Sequence, residues 1–184
     1  MKKLFTLIGI FILSLIITAL YGILHDQLTY TISHEYYTKF KFIQFGLSET
    51  GKEVIFAYPR IEVSYVGIMA TWWMGIPIGL ILGITAFRYR NWKDMLTITL
   101  KSFPIIIGIA FVTGLIGLIY GYYQASHDLK VFTQGWHMPN DLIDVTNFVA
   151  VGSMHNFSYT GGLVGCIAAI IYIVRKKHDI NSFL

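Results

Sequence analysis

Four stretches of this chain, residues about 4–24, 64–87, 103–123 and 148–174, are long and apolar enough to constrain everything else about it. At 1.5 Å per residue each one reaches across roughly 30 Å of hydrocarbon. The first, Leu4 to Leu24, holds no charged residue at all. A backbone polar group left open in lipid is costly, so spans of this kind close their hydrogen bonds within a helix. The expected fold is an all-α integral membrane protein, one domain over residues 1–184 with four transmembrane helices in an antiparallel bundle. Only 13% of residues are charged, about half the share usual in soluble domains. Met1-Lys2-Lys3 could open a secretory signal peptide, but the apolar run behind it exceeds the usual 7–15 residues and Ile17 spoils the cleavage pattern near Ala19. It reads as a retained helix.

Charge gives the direction. Lys2, Lys3, Arg88, Arg90, Lys93, Lys101, Arg175, Lys176 and Lys177 lie at the two ends and in the 88–101 connection, against only Asp94 and Asp179. The other two connections carry Lys39, Lys41, Lys52, Arg60 and Lys130 among eight acids. The positive-inside rule therefore predicts that both ends and the 88–101 loop are cytoplasmic. A bacterial inner (plasma) membrane is the expected location, with the lipid bilayer as the first partner. The net charge of +4 sorts by membrane side and forms no patch, so nucleic acid is excluded as a partner.

Residues 25–63 form the longer outer segment and are expected to build a structured extracytoplasmic cap. Ser33 is a good N-cap for a helix from His34 to about Phe45, with Glu35 and Lys39 paired at i,i+4. Val54 to Tyr65 has a β-like composition interrupted by Pro59, which predicts a short extended pair or an irregular cap. Residues 124–147 read as a loop with at most a short helix. Gly75, Gly79 and Gly83 lie at four-residue spacing around Pro77, the third span has Gly108, Gly114, Gly117 and Gly121, and the fourth has Gly161, Gly162 and Gly165. These small faces predict close helix contacts, with a kink near Pro77.

The chemistry lies with the histidines. His25, His34, His127, His137 and His155 all fall on the outer side, and the acids gather there too. His155 sits about two turns inside the fourth span, where lipid cannot satisfy it, so it faces the interior of the bundle. Asn156, Ser158 and Tyr159 surround it in sequence and are expected to support a polar surface. Spans one and three share a Tyr-Gly followed by His-Asp, ending in His25-Asp26 and His127-Asp128. A bundle would let His25, His127 and His155 converge, with Asp26, Asp128 and Glu35 completing the set. Imidazole with carboxylate suits zinc, iron, copper or manganese, which would make the chain a membrane metalloenzyme. A haem with two axial histidines is a lesser expectation, and His-Asp pairs that only hold helices together are the plain alternative. No HExxH, ExxH or HxH element, phosphate loop or dinucleotide fingerprint occurs. The competing class is a structural or assembly subunit of a larger membrane complex or a homo-oligomer. A through-pore is disfavoured, because the inner halves of the spans offer little beyond Thr6, Ser14 and Thr85.

Overall fold

The computed structural model describes residues 1–49, 53–136 and 138–182. It is helical, and no strand occurs among the described residues. The long elements are α1 (Lys2–Ile32), α2 (Pro59–Thr71), α3 (Gly75–Ala86), α4 (Trp92–His127) and α5 (Val145–Ser182). With α2 and α3 taken as one interrupted span, four helices are long and apolar enough to cross a membrane.

Along α1, Leu4, Ile8, Ile12, Ile16, Leu20, Leu24 and Leu28 form one stripe at four-residue spacing, each 38–71% exposed. The opposite face buries Ile10, Ser14, Gly22, His25, Asp26 and Thr29. An apolar outside over a partly polar inside is the reverse of a soluble helix, and it matches lipid on one face and protein on the other. α1 also runs a full two turns past Leu24. His25, Asp26 and Thr29 look like an interfacial exit in sequence, yet they stay helical because the protein interior covers them.

The interrupted span pairs with α1 through glycine. A Cβ added to Gly67 would lie 2.6 Å from the Gly22 carbonyl oxygen, and one on Gly75 would lie 2.6 Å from the Leu15 Cα. Further along, Ser14 Oγ donates to the Gly75 carbonyl and Lys3 Nζ to the Phe87 carbonyl, at 2.7 and 2.5 Å. The contacts therefore run in opposite chain order. α4 and α5 meet in the same way, Gly121 against Ala150, Gly117 against Phe157 and Gly165 against Ile106. Tyr89 bonds the Ile173 carbonyl at 2.8 Å at one end, and Tyr122 bonds Asn147 at 2.6 Å near the other.

The break in the second span falls at Trp72–Met74, a tight 3₁₀ turn, rather than at Pro77 itself. Proline cannot bond the carbonyl four residues back and its ring crowds it. That carbonyl belongs to Trp73, so the distortion appears one turn early. α2 replaces the extended pair expected over Val54–Tyr65. Pro59 stands at the first helical position, where its missing N–H costs nothing. Its β-branched neighbours then serve as ordinary apolar residues of a buried and lipid-facing helix.

The connections 33–58 and 128–144 close over one end. Ser33 ends α1, and its Oγ accepts the Tyr36 N–H at 3.3 Å, as an N-cap should. The turn that follows, Tyr37–Lys41, is π-wide, with the Phe42 N–H reaching the Tyr37 carbonyl. Tyr36, Tyr37 and Phe42 pack with Phe148, Val149 and Val63 into an aromatic core beneath this cap. The other connection contributes a short helix, Leu129–Phe132, as its sequence predicts.

Candidate metal centre

α1 delivers His25 and Asp26 to its protein-facing side, about 10 Å before its end at Ile32. α5 delivers His155 from the facing helix. All three are buried, and one ligand atom from each lies within 4.8 Å of the others. Asp26 Oδ1 sits 3.3 Å from His25 Nδ1 and 3.2 Å from His155 Nε2. The two imidazoles meet edge to face with centroids 4.7 Å apart.

The hydrogen bonds settle which nitrogen does what. His155 Nδ1 lies 2.9 Å from the Val151 carbonyl, which can only accept, so Nδ1 carries a proton. In the neutral ring Nε2 is then a bare acceptor, and it faces a carboxylate oxygen. Asp26 Oδ2 and His25 Nε2 are buried with no hydrogen-bond partner. Buried acceptors that face one another unpaired are costly. Something positive belongs among them, either a proton or a metal ion. A backbone carbonyl that fixes one ring nitrogen and frees the other is also the arrangement that orients a metal-binding histidine.

The surroundings are aromatic. The Tyr36 ring stacks on His155 at 5.0 Å, and Tyr37 bonds Thr29 at 2.6 Å beside the site. Burial, reinforced by the Asp26 charge, pushes both cap phenols well above their ordinary range, so they remain protonated. Lys41 is buried in the cap with Gln44 as its acceptor at 3.0 Å. Burial pushes its ammonium down, and the Asp26 charge partly offsets this. Neither Lys41 nor the Tyr36 stack is signalled by any local motif.

Of the residues singled out in sequence, the structure brings together His25, Asp26 and His155. Ser158 joins their surroundings through a 2.5 Å bond to Tyr21, and Tyr159 lines the same cavity. Asn156 is exposed and borders a separate aromatic cleft with Tyr36 and Trp136. His127 and Asp128 are exposed at the end of α4, outside the group. His127 stacks on Tyr123 at 4.2 Å and bonds the Tyr123 carbonyl at 2.9 Å. The longer spacer between Gly121 and His127 carries that histidine past the last helix contact. Glu35 clasps the cap instead. Its carboxylate accepts the Ile143 N–H at 3.0 Å, the Asp144 N–H at 2.6 Å and the Lys39 ammonium at 2.7 Å. Burial pushes Glu35 up, but these three donors outweigh it and hold the carboxyl below its usual range. Lys39 is raised in turn, chiefly by Glu35. His137 lies outside the described residues.

Among the described residues His25, Asp26 and His155 are the one group of three with metal-ligand atoms at this spacing. Comparison with protein-family models, with curated proteins and with solved structures finds no match to this chain.

Proposed function

We propose that the chain is a four-span membrane protein whose His25, Asp26 and His155 hold a transition-metal ion near the extracytoplasmic end of an antiparallel bundle. The observation that carries the reading is the buried cluster itself: His155 Nε2 faces Asp26 Oδ1, which also meets His25 Nδ1, while Asp26 Oδ2 and His25 Nε2 have no hydrogen-bond partner. Two imidazoles and a carboxylate suit iron(II), zinc, copper or manganese. Three protein ligands are one fewer than a closed structural zinc site, so coordination positions remain open, as catalysis at a metal requires. A haem is poorly served, since rings 4.7 Å apart leave no room for a porphyrin between them. By the distribution of Lys and Arg, both ends of the chain and the loop before α4 face the cytoplasm.

A proton on His155 is the rival occupant. Metal analysis of protein purified without chelator, beside His155→Ala and His127→Ala, separates the two. Near-stoichiometric metal that vanishes in His155→Ala and persists in His127→Ala supports the site. A metal-free wild type that takes up no added iron or zinc overturns it.

A further inference from the structure

We infer that the cavity beneath the cluster is a pocket for a small apolar solute of two to four heavy atoms, in the size class of dioxygen, entering from the bilayer. The cavity volume is about 60 Å³, and it extends from His25, Asp26 and His155 along the helices to Ile17, Phe103, Ile106 and Ala110. From His25 to Ile17 the path covers about 12 Å of α1.

Size restricts the occupant first. An apolar cavity of about 150 Å³ takes benzene, and one water claims about 30 Å³. A space of 60 Å³ is smaller than the benzene cavity and fits a diatomic or triatomic molecule better than a quinone ring or a lipid chain. The polarity of the wall restricts it further. Thr18 Oγ1 is committed to the Ser14 and Leu15 carbonyls at 2.9 and 3.1 Å. Thr71 Oγ1 is committed to those of Thr18 and Gly67 at 2.8 and 2.7 Å. Tyr21 and Ser158 satisfy each other at 2.5 Å. The deep part of the pocket thus presents hydrocarbon and few free polar groups, and water gains little there. The free groups, His25 Nε2 and Asp26 Oδ2, stand only at its cluster end. Access is lateral: Ile107 lines the cavity and is also 37% exposed, so the cavity reaches a residue open to lipid, in which apolar gases concentrate.

That the pocket serves the cluster as a co-substrate site rests on the metal reading; that it binds apolar solutes does not. The test uses xenon as the probe on chelator-treated full-length protein with labelled isoleucine methyls. Gly162→Leu fills the pocket, because a Cβ there meets nothing closer than Met74 Cε at 3.8 Å, and Gly108→Leu is the control, with open space around it. The expected result is a saturating shift at Ile17, Ile106 and Ile107 that is lost in Gly162→Leu, kept in Gly108→Leu and kept in His155→Ala. Only a linear, micelle-like drift at these methyls, equal to that of lipid-facing Ile12, overturns the pocket. Saturation in a protein that binds no metal keeps the pocket and overturns only its link to metal chemistry.

Discussion

Replacing Asp26 by asparagine in metal-stripped protein separates a cation site from a structural ion pair. Asp26 is 2% exposed, and its Oδ1 alone faces both imidazoles, at 3.3 and 3.2 Å. If a metal supplies the charge in the working protein, stripping leaves a buried carboxylate opposite a bare His155 Nε2. A carboxamide removes that charge, and its NH2 group at this position can donate to His155 Nε2 and, with the His25 proton moved to Nε2, to His25 Nδ1 as well. Stripped Asp26→Asn should then match the wild type or exceed it by about 1–4 kcal/mol, the usual outcome when buried ions yield to neutral groups of the same shape. Adding metal at 100 times its dissociation constant stabilises the wild type by about 2.7 kcal/mol. On the scale of domains of this size that is roughly 5–10 °C in Tm. The variant should gain almost nothing. Thermal unfolding in detergent, with and without chelator, reads all four states. The reasoning is refuted if stripped Asp26→Asn is less stable by about 3–5 kcal/mol, the cost of orphaning a buried imidazolium, while the wild type shows no metal-dependent shift.

Gly67→Ala should force α1 and α2 apart by roughly 0.8 Å, from a 2.6 Å approach toward the ordinary 3.4 Å, at about 1–3 kcal/mol; Gly9→Ala, with nothing within 4 Å, should be neutral or stabilising by up to about 1 kcal/mol. Glu35→Gln should speed amide exchange at Ile143 and Asp144 roughly 5–30-fold, from loss of about 1–2 kcal/mol of charge-assisted bonding. Because the folded Glu35 value is depressed, its contribution in the wild type is full above the ordinary glutamate range near about 4.3 and is lost as pH falls through the lower folded value. Protection of the cap amides, corrected for the intrinsic exchange rate at each pH, should therefore fall only under acid conditions, and in Glu35→Gln that acid step should shrink. Tyr36→Ala removes the ring that stacks on His155 and meets Phe148 edge to face and should cost about 3–5 kcal/mol. Tyr36→Phe, which keeps the ring, should leave both stability and metal content close to wild type.

The four spans were legible because hydrocarbon leaves a chain so few options; depth singled out His155, while His25 and Asp26 were read only as neighbours at the outer end of the first span. Other features were written in partners that no local pattern reveals. Glu35 is held by the backbone N–H groups of Ile143 and Asp144, which carry no residue signature. His127 resembled His25 by its neighbours, yet with more residues between it and Gly121 it is exposed and bonds only within its own helix end. Val54–Tyr65 looked extended because β-branched residues in water prefer strands, whereas Pro59 and an apolar setting start a helix there. Lys41 is charged and so reads as a surface residue, but its ammonium lies over the rings of Tyr36, Phe40 and Phe45 and bonds Gln44.

The glycine seams carry a mechanical consequence. Where backbone lies on backbone, two helices have no side-chain layer to slide on, so α1 with α2–α3 and α4 with α5 behave as two stiff plates. His25 and Asp26 belong to one plate and His155 to the other. If the proposed ion sits between them it would act as a rivet, fixing the spacing of the plates, and its removal would free them to part.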